Sequence, residues 1–302
     1  MTGRPSRILQ VFRSATMSVV LAAGFFAAAE LLLLATGLPD PGIYAGDIRS
    51  FWTLRPDLPP QDLPFRERGT TFRVRTNQSG FRGAAPVEGA TLCLGDSTTF
   101  GWGVEEDEAW PAVLGELLGA PTINGGVPGY STHQGRIALA AALRLRPRTV
   151  VLAYLVRDAE RAPVADADRP EPPWDPRILQ LLRKLRPAPS AAHRAGVPRV
   201  SAAAYIENLR QMIAEISAAG ASPVLLQFPT LPADEVKAGV SGAAPVAEHQ
   251  AALAQVAAAH PGLPLLVPAF ELSHFFPEDP IHLTVEGNRA LALAVAAGLS
   301  GP

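Results

Sequence analysis

Residues 90–98 read Ala-Thr-Leu-Cys-Leu-Gly-Asp-Ser-Thr, and this stretch is the strongest indication of the fold. Its first five residues, Ala90 to Leu94, form a short apolar run of the kind found in strands that are buried on both faces, and Gly95 ends the run. Ser97 follows at the carboxyl end of this predicted strand, just before a predicted helix. In parallel sheets, ligands and catalytic groups lie outside that end of the strands. The stretch therefore predicts an α/β domain that presents Ser97 where a nucleophile is useful.

The pattern of short apolar strands and amphipathic helices continues to the end of the chain. Further strands are predicted at residues 122–123, 149–155, 223–228 and 263–267. Helices are predicted at residues 109–118, 131–145, 205–219, 247–259 and 285–299, the last with Thr284 as its N-cap. Buried strands that alternate with helices favour a parallel sheet covered on both faces. The domain that begins at residue 90 and runs to residue 302 is thus predicted to be a three-layer α/β/α sandwich.

Residues 39–89, ahead of this domain, have a different character. The first part, 39–66, contains many prolines and the aromatic residues Tyr44, Phe51, Trp52 and Phe65, without a helical period. This composition predicts an extended arm packed on the globular body. Thr70 to Arg75 alternates like a half-buried strand, and the turn residues at 77–80 predict a hairpin.

A segment at about 157–200 interrupts the alternation. It contains eight prolines and eight arginines around one short candidate helix. Long insertions in compact domains are often functional, so the segment is either a lid over the site or a solvated insertion. The sequence leaves both interpretations open.

The N-terminal region is long and apolar enough to cross a membrane. Residues 15–38 carry one charge, Glu30, and a bilayer core requires about 20 apolar residues in a helix. Arg4, Arg7 and Arg13 precede the segment, so residues 1–14 are predicted to be cytoplasmic and the chain after residue 38 extracytoplasmic. In a Gram-negative cell that compartment is the periplasm.

A cleavable signal peptide is the alternative, because Ala27, Ala28 and Ala29 resemble a cleavage site. The apolar run continues beyond them through Leu34, which favours an uncleaved signal anchor. A carboxylate is costly at membrane depth, so Glu30 is expected either near the outer interface or facing a protein partner.

Composition and charge exclude several classes of protein. The chain has 48% hydrophobic and 18% charged residues and a net charge of -2, without the basic excess of a nucleic-acid binder. Cys93 is the only cysteine, which excludes a disulfide framework and a thiolate zinc site. No cluster of His, Asp and Glu has the spacing of a metal site, so no cofactor is expected.

A second candidate motif lies near the end of the chain, at Asp279-Pro-Ile-His282. A serine hydroxyl is a weak nucleophile until a base takes its proton, and a carboxylate orients that base. Spacing of three can place Asp279 beside His282. His274 is a competing base, but no carboxylate stands three residues before it.

Gly-Asp-Ser early in the domain and Asp-x-x-His near its end resemble the SGNH or GDSL hydrolases. The resemblance runs from about residue 90 to the end of the chain and implies a flavodoxin-like sandwich. It implies that Ser97 is the nucleophile, His282 the general base and Asp279 its orienting partner. It also implies an oxyanion hole built from the backbone N–H of Ser97, a glycine that aligns with Gly129 and an asparagine.

The chain departs from the family pattern at that asparagine. In the family, the motif that contains this asparagine normally reads Gly-x-Asn-Asp and follows a buried strand. Here Arg157 stands in the place of the asparagine, before Asp158. Loss of one oxyanion donor typically costs about 10²- to 10³-fold in rate. Arg157 either compensates with its own donors and charge, or pairs with Asp158 or Glu160 and points away.

Two functions follow from these residues. The first is a serine-dependent ester hydrolase or acyl transferase outside the cytoplasm, acting on an ester-bearing small molecule or on O-acyl groups of a cell-surface glycan. The second is a catalytically impaired SGNH-like domain that binds glycan or an envelope partner. The membrane is an expected partner of both, through the N-terminal helix.

Overall fold

A computed structural model describes residues 7–38, 40, 42–66, 68–170, 176–184, 196–230, 246–277 and 279–301. The helices, in chain order, are α1 (Arg7–Thr36), α2 (Ser97–Phe100), α3 (Trp110–Leu118), α4 (Thr132–Leu143), α5 (Val156–Ala159), α6 (Arg177–Lys184), α7 (Ala202–Ala218), α8 (Ala247–Ala258) and α9 (Val285–Ser300). The strands are β1 (Tyr44–Asp47), β2 (Phe51–Leu54), β3 (Gln61–Phe65), β4 (Thr70–Val74), β5 (Thr91–Gly95), β6 (Thr122–Gly126), β7 (Thr149–Ala153), β8 (Arg161–Ala162), β9 (Val197–Pro198), β10 (Ser222–Leu226), β11 (Leu265–Leu266), β12 (Phe275–Phe276) and β13 (Asp279–Leu283).

The chain divides into two compact units. One comprises Met1–Gly42 and Pro172–Pro189, and the other comprises Ile43–Glu171 and Ser190–Pro302. The first unit contains α1 and α6, and α1 carries a segment, Arg13–Thr36, that is long and apolar enough to cross a membrane. The second unit contains every strand and the remaining helices.

The second unit is built on a five-stranded parallel sheet. Its strand order is β11-β10-β7-β5-β6, which is the flavodoxin-like order. The order reverses between β5 and β7, and crevices at such a switch point bind ligands. Gly95 at the end of β5 lies in register with Gly126 and Ala153, so three strands end level at this point.

Successive residues of the central strands enter two separate cores. On β5, Leu92 and Leu94 pack in a core that includes residues of α4, α7 and α8, whereas Cys93 packs in a core with residues of α3 and α9. On β7, Leu152 and Val151 divide in the same way. Both faces of the sheet are therefore buried, and the predicted three-layer α/β/α sandwich is confirmed.

The arm ahead of the sheet consists of two antiparallel hairpins. Strand β1 pairs with β2, and β3 pairs with β4. The turn residues after β4 lead to an isolated antiparallel bridge between Thr76 and Arg82. The main strand partner of Thr70–Val74 is thus Gln61–Phe65, which lies inside the stretch that was predicted to be extended.

Arg82 connects this arm to the end of α2. Its side chain is only 3% exposed, and its guanidinium donates to the carbonyl oxygens of Phe100 (2.7 Å), Gly101 (2.7 Å) and Val104 (2.8 Å). Burial lowers the pKa of Arg82 to about 10. A cation at a helix C-terminus stabilises carbonyls that have no partner within the helix. Arg82 therefore holds the far end of the turn that begins at Ser97.

We expect Arg82→Met to be strongly destabilising, because the carbonyls of Phe100, Gly101 and Val104 lose the buried guanidinium that donates to all three. The loss of unfolding free energy should be about 3 kcal/mol or more, which corresponds to a fall in Tm on the order of 10 °C. Thermal unfolding followed by circular dichroism measures it. Arg73→Met is the matched control, since Arg73 is exposed and pairs with Asp62 at 3.3 Å. An equal Tm for the two variants would contradict the assignment.

Candidate active site

Ser97 stands at the first turn after the central strand β5. Asp96 caps this turn, since its carboxylate accepts from the Thr98 backbone N–H (2.8 Å) and hydroxyl (2.6 Å). The turn packs so closely on β6 that a Cβ added to Gly126 would lie 2.2 Å from the backbone nitrogen of Phe100. Ser97 is thereby fixed at the carboxyl edge of the sheet, at the switch point.

His282 and Asp279 reach Ser97 from the far end of the chain. Both lie on β13, which pairs antiparallel with β12. Nε2 of His282 is 2.8 Å from Oγ of Ser97, and Nδ1 is 2.5 Å from Oδ2 of Asp279. All three side chains are buried. The structure therefore joins a hydroxyl, an imidazole and a carboxylate in one hydrogen-bonded chain.

Asp279 is held ionised in this arrangement. Burial acts to raise the pKa of Asp279, but the hydrogen bond and charge of His282 outweigh it, and the pKa lies below its ordinary value. Two backbone donors, the N–H groups of Ile281 (2.9 Å) and His282 (3.2 Å), assist by binding Oδ1. An ionised carboxylate at Nδ1 keeps the proton on that nitrogen and leaves Nε2 free to accept the Ser97 proton.

Gly129 lies in the loop that follows the neighbouring strand β6. Its φ of +85° suits glycine, and an added Cβ would lie 3.0 Å from the indole ring of Trp52. Among the described residues, the backbone N–H groups of Ser97 and Gly129 have no hydrogen-bond partner. Both donors are therefore available to a ligand.

Arg157 lies on α5, just after β7 at the same edge of the sheet. Its Nη1 donates to Oε2 of Glu160 at 3.2 Å, while its buried Nε has no partner within the described part of the chain. The positive charge also acts on Tyr44 of the arm, although burial dominates there and raises the pKa of Tyr44 to about 12. Within the described ranges, no hydrogen bond joins Arg157 to Ser97, His282 or Asp279.

The partner of Arg157, Glu160, belongs to a partly buried ionic network. Glu160 also contacts Arg199 at 3.5 Å, and Arg199 binds the buried carboxylate of Asp166 at 2.9 Å. Asp166 in turn accepts from the hydroxyl of Ser131, the N-cap of α4, at 2.7 Å. The network thus links the turn of Arg157 with the segment that follows Gly129.

His274, the competing base in the sequence, and His133 both have other contacts. Nδ1 of His274 accepts from the backbone N–H of Glu271 at 3.1 Å, and no contact with Ser97 is found among the described residues. His133 stacks on Phe51, with ring centroids 6.4 Å apart, and burial lowers its pKa. In the described part of the chain, no group of three or more His, Cys, Asp and Glu could hold a metal ion.

Two tryptophans contribute to the site without having been predicted to do so. The ring of Trp102 lies 6.4 Å from that of His282, and Trp52 covers Gly129 and donates from Nε1 to the Pro128 carbonyl at 3.1 Å. Trp102 stands only five residues after Ser97, so its closeness to the site could have been predicted from the sequence. Trp52 is 76 residues from Pro128, and only the pairing of the arm brings it there.

Asp158, next to Arg157, is a completely buried carboxyl. Burial raises its pKa to about 7, against the hydrogen bonds that its Oδ1 accepts from the backbone N–H (2.8 Å) and hydroxyl of Thr132. Its second oxygen, Oδ2, has no partner among the described residues. The group is therefore protonated in the folded protein over a pH range where the unfolded chain ionises it.

This shift predicts a pH-dependent stability. A carboxyl whose folded pKa is raised stabilises the fold below its unfolded pKa, and that contribution is lost as the pH rises to about 7. Between pH 5 and pH 8, we expect the Tm of the native protein to fall more than that of Asp158→Asn, whose amide does not ionise. Differential scanning calorimetry at both pH values tests it. A Tm difference between the two proteins that is the same at each pH would refute the assignment.

Comparison with known proteins agrees with this geometry. A model of the GDSL-like lipase/acylhydrolase family matches residues 93–290, about two thirds of the chain, and includes Ser97 and His282. No curated protein matches significantly.

Several solved structures are similar in fold. They include a putative lipolytic protein of the G-D-S-L family from Desulfitobacterium hafniense (14% identity, 70% of this chain and 99% of that chain, TM-score 0.48). A lipase/acylhydrolase from Enterococcus faecalis is also similar (19% identity, 70% and 96%, TM-score 0.48), as is an aryl esterase from M. smegmatis (16% identity, 70% and 98%, TM-score 0.47). The family match, the strand order and the hydrogen bonds that join Ser97, His282 and Asp279 agree. We conclude that this protein belongs to the GDSL-like lipase/acylhydrolase family.

Proposed function

We propose that this protein is a membrane-anchored serine esterase or acyl transferase that works outside the cytoplasm on O-acyl groups of a cell-surface glycan. The observation that carries the proposal is the hydrogen-bonded chain from Ser97 through His282 to Asp279, at 2.8 and 2.5 Å. Ester hydrolysis is the activity of the family. The compartment and the substrate are the finer parts of the proposal.

The proposed mechanism uses these residues in order. His282 takes the proton of Ser97 as its Oγ attacks the ester carbonyl, and Asp279 stabilises the imidazolium that forms. The backbone N–H groups of Ser97 and Gly129 and the guanidinium of Arg157 bind the developing oxyanion. His282 then protonates the leaving alcohol, which leaves an acyl group on Ser97. Water or a sugar hydroxyl, activated by His282, removes that acyl group.

Helix α1 supports the proposed location. Its apolar segment Arg13–Thr36 has a mean hydropathy of 2.2, and no residue of it is buried within the protein. Basic residues on its N-terminal side favour a cytoplasmic N-terminus. An enzyme held on the outer surface of the membrane meets envelope polysaccharides, which is why we name a glycan O-acyl ester as the substrate.

The full-length protein in detergent micelles tests the proposal. We expect acetate release from O-acetylated polysaccharide, with less activity on p-nitrophenyl butyrate than on p-nitrophenyl acetate. Ser97→Ala is the matched control. Turnover of the aryl esters without acetate release from any acetylated glycan would reject the glycan substrate but retain the esterase. Absence of both activities would reject the enzyme.

A second function is supported by the contact between Arg157 and Glu160. If the 3.2 Å ion pair persists with substrate bound, the oxyanion hole contains two backbone donors. The protein would then be a catalytically impaired SGNH-like domain that binds glycan or an envelope partner. Glycan binding by calorimetry that is unchanged in Ser97→Ala, without turnover in either protein, would favour this function.

Arg157 variants distinguish the two functions. If Arg157 is an oxyanion donor, we expect Arg157→Ala to lower kcat by about 10²-fold with little change in KM. Arg157→Asn, which installs the residue usual in the family, should retain more activity than Arg157→Ala. Steady-state kinetics with p-nitrophenyl acetate measure both. An unchanged kcat in Arg157→Ala, accompanied by a lower Tm, would show that the residue only pairs with Glu160.

A further inference from the structure

Glu30, the one charged residue between residues 15 and 36 of α1, binds the first turn of α6. Its Oε1 accepts from the backbone N–H of Arg177 at 2.7 Å, and its Oε2 accepts from that of Ile178 at 3.2 Å. The guanidinium of Arg177 also donates to the carbonyl of Leu38 at 3.2 Å. The cost of a carboxylate at membrane depth predicted Glu30 near the outer interface or facing a protein partner, and its partner here is a helix of the same chain.

This contact is a helix cap supplied from another helix. Residue 176, which precedes α6, is a proline, and its side chain offers no acceptor for the first N–H groups. A carboxylate at a helix N-terminus satisfies those donors and interacts favourably with the helix dipole. The backbone N–H groups of Arg177 and Ile178 also reduce the desolvation cost of a carboxylate in the apolar helix α1.

The position of Glu30 along α1 sets the depth at which α6 begins. The 24 residues Arg13–Thr36 extend about 36 Å, and the hydrocarbon core of a bilayer is about 30 Å thick. Glu30 lies six residues before Thr36, or about 9 Å from the end of the segment, and thus about 6 Å inside the hydrocarbon boundary. Interfacial helices bury their apolar face about 5–10 Å into the boundary between headgroups and acyl chains, which matches this depth.

Helix α6 has the composition of an interfacial helix. Its sequence is Arg-Ile-Leu-Gln-Leu-Leu-Arg-Lys, and its four apolar residues fall on one side of the helix when successive residues are placed 100° apart. On that side, Leu181 is 39% exposed and Leu182 is 50% exposed. Arginine and lysine on the polar side of such a helix favour anionic lipid headgroups.

We propose that α6 lies parallel to the extracytoplasmic surface of the bilayer that α1 spans, with its leucine face in that bilayer. Glu30 is the cap that holds the helix there. The proposal rests on the location given under the proposed function. The leucine face of α6 is assigned to the bilayer, rather than to a protein partner, because Glu30 attaches α6 to α1 at interfacial depth. The helical part of the insertion thereby becomes a second membrane contact of the enzyme.

Spin labels on the full-length protein test the placement in bilayers of zwitterionic and anionic phospholipid. The labels are placed one at a time at Leu182→Cys, Gln180→Cys and Phe25→Cys, with Cys93→Ser in each. A label that is accessible to oxygen lies in lipid, and a label that is accessible to a water-soluble nickel chelate lies in water. We expect the Leu182 label to prefer oxygen, the Gln180 label to prefer nickel and the Phe25 label to be the deepest.

The outcomes separate this proposal from the anchor on which it depends. A Leu182 label that prefers nickel while the Phe25 label remains in lipid would overturn the placement of α6 and leave the anchor standing. A Leu182 label shielded from both reagents would also overturn it, because protein then covers the leucine face. A Phe25 label that prefers nickel would overturn both the anchor and the placement.

The role of Glu30 has its own test. In Glu30→Ala we expect the nickel accessibility of the Leu182 label to rise by about fivefold, since the first turn of α6 loses its cap. The Phe25 label should be unchanged, and Glu30→Gln, which keeps one acceptor oxygen, should give an intermediate result. Unchanged accessibility in Glu30→Ala would overturn the assignment of Glu30 as the cap.

Discussion

Replacing Ser97 with alanine is expected to lower kcat for p-nitrophenyl acetate by about 10⁴-fold or more. The hydroxyl is the only nucleophile that Nε2 of His282 contacts among the described residues, at 2.8 Å. Alanine removes the attacking oxygen and fits the same space, so the Tm should change little. Steady-state kinetics and thermal unfolding of the same preparation measure both quantities.

His282→Ala should have a similar effect, because a serine without its base remains a protonated alcohol. Residues that act as one unit are not additive, so the double variant should be no slower than either single variant. His274→Ala is the matched control, since that imidazole binds Glu271 instead. A Ser97→Ala protein with more than about one tenth of native activity would contradict the assignment of the nucleophile.

Asp279→Asn is expected to lower kcat by about 10⁴-fold while leaving the backbone geometry in place. The Asn Oδ1 can still accept from the N–H groups of Ile281 and His282, which places the amide N–H₂ against Nδ1 of His282. A donor at that position forces the proton onto Nε2. The imidazole then presents an N–H to Ser97 and cannot accept its proton.

The pH profile of this variant supplies an independent readout. In the native protein, the low pKa of Asp279 keeps the carboxylate ionised across the neutral range, so His282 has the correct tautomer at neutral pH. Asp279→Asn should remain slow at every pH from 6 to 9. Asp62→Asn, an exposed carboxylate on β3, is the control. Near-native activity of Asp279→Asn would show that the carboxylate does not orient the base.

The sheet domain was predictable because its signals are local. Strand β5 has a continuous apolar run that ends in glycine, and α9 begins at its predicted cap, where the Thr284 hydroxyl accepts from the Gly287 N–H at 3.1 Å. The hairpins of the arm were not predictable in detail. Strand β3 contains Pro64 and little alternation, and Phe51 adopts a φ of +70°, so pairing with neighbouring segments determines these strands rather than their own propensity.

The candidate site was predictable where residue type and chain order carry it, and less so where side-chain direction matters. The motifs around Ser97 and His282 sufficed to predict that the two residues meet across 185 positions. The sequence left Asp158 and Glu160 open as partners of Arg157, and the structure pairs it with Glu160. Trp52 over Gly129 depends on a long-range contact of the arm. No local pattern announces such a contact.

Glu30 shows the same distinction in the first unit. The sequence identified a costly charge in an apolar helix, and its cost predicted that a partner or an interface must be close. The partner, the first turn of α6, lies 147 residues later. Pro176 is the one local indication, because a helix that starts after proline has no side-chain cap of its own.

In the proposed mechanism, Ser97 is activated by His282 and forms the acyl-enzyme. Covalent labelling with a fluorophosphonate tests it most directly, because the reagent modifies a serine whose oxygen has been made nucleophilic by a base. The native protein and the Ser97→Ala and His282→Ala variants are incubated with the reagent, digested and analysed by mass spectrometry. We expect one adduct on the peptide that contains Ser97 in the native protein, and no adduct on either variant. Unmodified Ser97 in the native protein, or equal modification in His282→Ala, would contradict it.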